Sequence, residues 1–182
     1  MMRVDGQLGR CLEGRLMLGM SVDKDKVAYV EVSFRPNVEL ISVVRRFVSD
    51  FYARMFKDAD ATSRVALATH ELLENAVRYS RDGETRIRVE VVNDHAHSQV
   101  AIRTWNLATP DHVDAVRLLF DEMVSNTDPF HHYQTLMRRT AKVVGGSGLG
   151  LARVRAEAEM ELSFEVADGI LSVGAKTRAE VI

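Results

Sequence analysis

Apolar and polar residues alternate along several short segments of the chain. Residues 27–35, VAYVEVSFR, alternate in this way and are rich in β-branched side chains. Residues 85–93 and 99–105 repeat the pattern, and two further apolar runs flank Asp168-Gly169, a pair that favours a tight hairpin turn. The alternation predicts five strands, of which the last two form a hairpin.

Between these strands, apolar residues recur at spacings of three and four, which is the period of an amphipathic helix. At Thr109-Pro110-Asp111 a helix start is expected, because proline fits the first turn and an acid suits the positive end of the helix dipole. The predicted helices cover residues 37–56, 60 or 62 to about 80, 109–124, 131–142 and 149–160.

The order of these elements predicts an α+β fold. A strand, two helices, two strands, two helices, a glycine-rich loop, a helix and a hairpin favour a two-layer α/β sandwich, with a mostly antiparallel mixed sheet covered by helices on one face. We expect residues 1–26 to form an N-terminal extension, either an added strand or a dimer contact, and residues 27–182 to form the domain. Trp105, in an alternating segment, is expected to face the core.

Composition narrows the possible functions. The 182 residues carry a formal net charge of −2, which disfavours a basic nucleic-acid surface over the whole domain. A single cysteine, Cys11, permits no internal disulfide and no Cys pair for zinc. The longest apolar run near the N-terminus, residues 16–20, is too short to span a membrane. We therefore expect a soluble cytoplasmic protein without nucleic-acid or membrane partners.

A glycine-rich stretch is the first candidate for chemistry. Gly145-Gly146-Ser147-Gly148-Leu149-Gly150 runs directly into a predicted helix. Glycines let backbone N–H groups approach an anion, and a helix N-terminus adds partial positive charge, so the stretch suits a phosphate. It lacks the Gly-Lys-Ser/Thr of a Walker A loop. The alternative is a plain turn.

A second candidate lies on the helix predicted near residues 60–80. Glu71 and Asn75 stand four apart and share a face at the border of the apolar stripe. A carboxylate beside a carboxamide can hold hydrated Mg²⁺ or orient a water, and Arg78 could reach a phosphate. The alternative is a surface helix with a Glu74–Arg78 ion pair, worth about 0.3–0.5 kcal/mol.

Together, Glu-x-x-x-Asn-Ala on a helix and a later Gly-Gly-Ser-Gly-Leu-Gly-Leu resemble the motifs of the GHKL or Bergerat-fold ATPases. This family includes gyrase B, sensor histidine kinases and the anti-sigma-factor serine kinases. The resemblance covers roughly residues 27–176. It implies the Bergerat fold, with ATP and Mg²⁺ as cofactors.

The resemblance also implies roles for individual residues. Asn75 matches the Mg²⁺-binding Asn, and Glu71 matches the general base of the ATP-hydrolysing and serine-kinase branches. Residues 125–144 would be a mobile lid, from which Lys142, or Arg138 or Arg139, could touch phosphates. The implied nucleotide-binding residues are Asn75, Arg78, Asn106, Lys142, Gly146, Ser147, Gly148, Leu149 and Gly150.

One motif departs from the family. Where Asp-x-Gly-x-Gly is expected to hold adenine, the chain reads Asn106-Leu107-Ala108. The Asn106 oxygen can still accept a hydrogen bond from an exocyclic amine, without the charge of a carboxylate. In this respect the chain resembles the SiaB-like group of bacterial regulatory kinases.

The resemblance implies an ATP-dependent Ser/Thr kinase of the anti-sigma-factor type. Its partner would be a small protein in a partner-switching pathway, an anti-sigma-antagonist-like substrate or a sigma-like factor, and it could form a homodimer. With about 26 residues before the first strand, a complete sensor histidine kinase is not expected. Two alternatives stay open: a non-catalytic module that sequesters a partner, and an unrelated α/β domain with a chance glycine loop. Arg153 is expected on a solvated face or a partner surface.

Overall fold

The computed structural model describes residues 16–17, 26–35, 38–94, 97–140 and 148–180. Within them the strands are β1 (Leu16–Met17), β2 (Lys26–Phe34), β3 (Thr85–Asp94), β4 (His97–Leu107), β5 (Glu161–Ala167) and β6 (Ile170–Ala179). The helices are α1 (Val38–Tyr52), α2 (Ala59–Arg78), α3 (Pro110–Ser125), α4 (Pro129–Thr140) and α5 (Leu149–Glu157). The five predicted strands and five predicted helices are therefore all confirmed.

The strands form a six-stranded sheet in the order β1-β2-β3-β4-β6-β5. Each neighbouring pair among the described strands is antiparallel. Short hairpins join β3 to β4 and β5 to β6, whereas the chain between β4 and β5 forms α3, α4 and α5. Leu16 pairs with Val32, so two residues of the predicted extension lie at the sheet edge. The two-layer sandwich is confirmed, while the domain boundary at residue 26 stays a prediction.

Helix α2 is the centre of the helical layer. Asp58 caps its N-terminus, accepting a hydrogen bond from the Asp60 N–H at 2.8 Å. Its apolar side chains, including the fully buried Val65 and Leu73, pack against one face of the sheet, α1 and α5. This packing sets the rotation of α2, and hence which polar side chains lie at its border with the core.

The opposite face of the sheet is charged. Arg88 pairs with Glu90 at 3.0 Å, and Arg103 pairs with Glu165 at 3.3 Å. Trp105 belongs to this face, because it lies between the buried residues Thr104 and Asn106 on an alternating strand, and the Arg86 guanidinium lies 4.5 Å from its ring centroid. The expectation that Trp105 faces the core was wrong.

Tyr52, the last residue of α1, has a buried hydroxyl without a hydrogen-bond partner among the described residues. Its ring stacks on Phe56 at a centroid distance of 4.9 Å. Burial, and secondarily the charge of Glu90, raises the pKa of Tyr52. We expect Tyr52→Phe to raise the free energy of unfolding by about 1 kcal/mol, because it removes an unpaired buried hydroxyl and keeps the ring. Urea denaturation measures this, and a loss of stability would show that the hydroxyl has a partner.

Candidate active site

Glu71 and Asn75 lie one turn apart on α2, at the border of its buried stripe. Their neighbours Leu72 and Ala76 are buried, which turns the two polar side chains toward the end of α5. The side chain of Glu71 is 13% exposed, and Asn75 is partly buried. The acid and the amide are therefore held on a rigid element with access to solvent.

The N-terminus of α5 lies opposite. Gly148 precedes the helix with a φ of 97°, a left-handed conformation that glycine adopts at little cost. Its position as N-cap carries no side-chain oxygen, so it leaves N–H groups of the first turn without a side-chain cap from this residue. Such N–H groups, at the positive end of the helix dipole, can bind an anion.

Gly150 brings the two elements into contact. A Cβ atom built on Gly150 would lie 2.6 Å from Glu71 Oε2 and 3.4 Å from Asn75 Nδ2. The helix with the acid and the amide therefore faces the start of α5 directly, at Gly150. A side chain at position 150 would occupy the space in front of the Glu71 carboxylate.

Two adjoining cavities, each of about 250 Å³, form a cleft along this contact. Both are lined by Asn75, Tyr79 and Gly148. We call the first the base lobe: it extends to Asn106 and is lined largely by apolar side chains. The second, the phosphate lobe, extends to Glu71, and its lining also includes Glu74, Arg78, Leu149, Gly150 and Arg153.

Asn106 lies at the inner end of the base lobe and is 6% exposed. Its Nδ2 donates to the carbonyl oxygens of Tyr79 and Leu107, each at 3.4 Å. Both amide hydrogens are thereby directed to protein carbonyls, and Oδ1 is the atom that can accept from a ligand. A carboxylate here would face those two carbonyl oxygens, which gives a physical reason for Asn in place of the family's Asp.

His112 contributes to the base lobe, although its sequence gave no sign of it. Its ring stacks on Tyr79 at a centroid distance of 4.1 Å and an interplanar angle of 13°. Burial lowers the pKa of His112, so the imidazole is neutral at neutral pH. Its place in the first turn of α3, after the cap at Thr109, does not by itself indicate a ligand contact.

Arg153 is the second functional candidate that the sequence did not identify. Its Nη1 donates to Glu71 Oε1 at 3.1 Å, and its Nε donates to Glu157 Oε2 at 2.7 Å. These carboxylates, Glu157 foremost, raise the pKa of Arg153. Its side chain is 41% exposed, as expected for a solvated face, but the ion pair with Glu71 in the cleft was not predicted, and the partner surface stays a prediction. Its position one turn after Gly150, on the same face of α5, was the available signal.

Arg78 lines the phosphate lobe and also pairs with Glu74, so the predicted ion pair is present in the cleft itself. Gly148, Leu149 and Gly150 line the same lobe. Lys142, Gly146 and Ser147 lie outside the described residues.

The stretch predicted as a lid contains a packed helix. His132, Tyr133 and Leu136 of α4 are buried. Arg139 donates from both Nη atoms to the carboxylate of Glu122 on α3, at 3.0 Å each, and these bonds lower the pKa of Glu122. Both residues line the base lobe. The Glu122–Arg139 pair therefore joins α3 to α4 beside the cleft.

The family model for the histidine kinase-like ATPase domain matches residues 34–158, which include α2, the glycine-rich stretch and all of α5. The chain belongs to this family. The GHKL resemblance is thereby confirmed, and membership in this ATPase family implies ATP binding.

A solved structure also has a fold similar to that of this histidine kinase-like ATPase domain. A chain in the crystal structure of the SiaB-SiaC complex from Pseudomonas aeruginosa superposes with a TM-score of 0.56 at 16% sequence identity. The match covers 80% of this chain and 88% of the other. At this identity the similarity shows a common fold. No curated protein matches the chain.

None of the helices in the described part of the chain has the length and apolar character needed to cross a bilayer.

Proposed function

We propose that this domain binds ATP and Mg²⁺ in the cleft between α2 and α5 and transfers the γ-phosphoryl group to a Ser or Thr of a small partner protein. The observation that carries the proposal is the contact of Gly150 with Glu71 and Asn75. This contact supports the proposal, because a general-base candidate and a metal-ligand candidate lie against a helix N-terminus, a position suited to a phosphate.

The phosphate lobe fits a triphosphate in chemistry. The absence of a Cβ at Gly150 lets the Glu71 carboxylate and the Asn75 amide lie directly against the start of α5. N–H groups at the start of α5 donate to anions without adding a charge of their own. On the strength of the motif, Lys142, Gly146 and Ser147 complete this cradle in our proposal, and Arg78 lies at its side.

The residues present also fit magnesium bound together with a nucleotide. Among the described residues, no group of three His, Cys, Asp or Glu side chains could hold a metal by itself. Mg²⁺ characteristically keeps several waters and takes one or two protein ligands plus substrate phosphates. Asn75, which lines both lobes, supplies an oxygen ligand in this proposal. When bound, the metal offsets negative charge on the phosphates.

Glu71 acts as the general base in this proposal. Its Oε1 accepts from Arg153, while its Oε2 lies toward Gly150 at the phosphate lobe. The carboxylate takes the proton of the acceptor hydroxyl as that oxygen bonds to the γ-phosphorus, and ADP leaves with the electrons of the broken bond. Because Glu71 stands on a packed helix, it is held in place before the partner binds.

One structure with a similar fold is that of the SiaB-SiaC complex. This supports a small protein as the partner of the present domain, in keeping with an anti-sigma-antagonist-like substrate or a sigma-like factor. A homodimer and a partner-switching role belong to the same proposal.

The decisive experiment uses the whole chain with γ-labelled ATP, Mg²⁺ and a SiaC-like partner protein. We expect saturable ATP binding by calorimetry and label on a Ser or Thr of the partner. The absence of ATP binding would refute the proposed function.

A non-catalytic module is a second candidate, favoured by one observation. The main chain that replaces the family's adenine-binding glycines is engaged within the protein: the Leu107 carbonyl accepts from Arg81 N–H at 2.8 Å, and Ala108 N–H donates to the Gly169 carbonyl at 3.0 Å. Altered base recognition would follow. ATP binding without label transfer to any bound partner would favour this candidate over the kinase.

Asn106 is expected to select adenine. Its Oδ1 can accept from the amine at C6 of adenine, whereas guanine presents a carbonyl oxygen there. We expect Asn106→Leu to weaken ATP binding about tenfold, the effect of one lost buried hydrogen bond, and to abolish the preference for ATP over GTP. Calorimetric titrations with both nucleotides measure this. Asn126→Leu is the control, since Asn126 donates to the Glu122 carbonyl and does not line the cleft. An unchanged nucleotide preference would exclude Asn106 from base recognition.

A further inference from the structure

Arg153 has no part in the reaction as proposed, although its guanidinium lies within the cleft. It bonds to Glu71 and to Glu157, and its side chain is 41% exposed. Ion pairs of partly exposed side chains are weak enough to exchange partners. Arg153 can therefore move from one anion to another without first being extracted from the core.

The two lobes give the cleft a direction. Asn106 lines the base lobe, Asn75 lines both lobes, and Glu71 and Arg153 line the phosphate lobe. A nucleotide with its base at Asn106 and its magnesium at Asn75 directs its last phosphate toward Glu71 and Arg153. The terminal phosphate would thus lie beside the Glu71 carboxylate and the Arg153 guanidinium, which are hydrogen-bonded to each other.

The charges of Glu71 and Arg153 indicate which of them can bind a phosphate. The carboxylate of Glu71 by itself would repel a terminal phosphate at short range. Arg78, the other arginine of the phosphate lobe, pairs with Glu74 one turn away, whereas Arg153 contacts Glu71 directly. A guanidinium also presents a planar set of N–H donors that matches phosphate oxygens.

We propose that Arg153 binds the terminal phosphate of ATP, exchanging its bond to Glu71 for charge-assisted bonds to that phosphate, so that the domain binds ATP in preference to ADP. The same exchange frees Glu71 Oε1, which Arg153 otherwise occupies. This inference rests on the proposed function and extends it, since it assigns the preference for ATP over ADP to one residue.

The test compares affinities for ATP and ADP, both with Mg²⁺, by calorimetry on the whole chain without a partner protein. In Arg153→Gln we expect ATP binding to weaken about tenfold or more and ADP binding to change less than about twofold, because charge-assisted bonds to the γ-phosphate are lost. Arg117→Gln, which removes an exposed arginine paired with Asp114 on α3, is the matched control and should change neither affinity. Should Arg153→Gln not fold, Arg153→Lys is the second variant, because it keeps the charge but loses the planar set of guanidinium N–H donors. It should also lower the ratio of ATP affinity to ADP affinity.

A double variant separates direct contact from simple neutralisation of Glu71. If Arg153 only cancels the charge of Glu71, Glu71→Gln combined with Arg153→Gln should restore ATP affinity. Direct contact predicts that the double variant recovers only the part of the loss that repulsion by Glu71 causes, and still binds ATP several-fold more weakly than Glu71→Gln alone. Fully restored affinity, an equal loss for ATP and ADP, or no loss would overturn the inference and leave ATP binding by the domain intact. A wild-type chain that binds neither nucleotide would overturn the proposed function and this inference with it.

Discussion

Glu71→Gln is expected to lower the rate of phosphoryl transfer to the partner by about 10²–10⁴-fold, the usual contribution of a general base. Glutamine keeps an acceptor for the Arg153 Nη1 that now bonds to Glu71 Oε1 at 3.1 Å, so the shape of the site is retained. It cannot take a proton from the acceptor hydroxyl. Label transfer under single-turnover conditions measures the rate.

The same variant should keep its affinity for ATP within a few fold, because binding in our proposals depends mainly on Asn75, the α5 amides, Arg153 and the base lobe. Glu165→Gln is the matched control: Glu165 is exposed on the charged sheet face, where it pairs with Arg103. It should transfer label at the wild-type rate. A Glu71→Gln protein as active as wild type would remove Glu71 from the chemistry, whereas parallel loss of binding and transfer would assign it to nucleotide binding alone.

Gly148→Ala is expected to impair both stability and function. The residue has a φ of 97°, where a side chain costs about 1–2 kcal/mol. An added Cβ would also lie 3.2 Å from Leu119 Cδ2, so the Leu119 side chain or the start of α5 must shift. Because the helix terminus faces Glu71, a displacement near 1 Å would lower the transfer rate roughly 100-fold. Thermal unfolding and label transfer measure the two effects.

Gly169→Ala separates strain from function. Gly169 also has a left-handed φ, of 78°, but it lies in the hairpin between β5 and β6, and its Cβ would meet Leu107 at an ordinary 3.4 Å. We expect a similar loss of about 1–2 kcal/mol in the free energy of unfolding, with little change in ATP affinity. If Gly148→Ala behaved in the same way, losing stability with no nucleotide response changed, the glycine loop would be a plain turn.

Much of the fold followed from local patterns. The spacing of apolar residues in α2 is three and four because that helix buries one face along its length, so the sequence alone places Glu71 and Asn75 on one edge of that face. The Asp168-Gly169 hairpin followed from the left-handed conformations that both residues adopt. Such features depend on near neighbours in the chain.

The alternation along β4 separated its residues into two sets but did not indicate which set the helices cover. Thr104 and Asn106 are polar, yet they are buried, and the apolar Trp105 lies on the charged face beneath Arg86. Apolar character alone pointed to the wrong set. The outcome depends on the packing of the helical layer, which buries polar groups at the inner end of the cleft.

Contacts between distant segments were beyond local reasoning. Arg153 and Glu71 are separated by 82 residues, and the stacked rings of Tyr79 and His112 belong to different helical regions. The helix period related Arg153 to Glu157, four residues on, because that pair shares a helix face. The contact of Arg153 with Glu71 results from the packing of α5 on α2, which depends on how the side chains between the two helices fit. Sequence patterns thus identified Glu71, Asn75 and the glycines as candidates. The packing of α2, α5 and the sheet decided that they share a cleft with Arg153, because the burial of apolar faces, and not distance along the sequence, determines which helices come into contact.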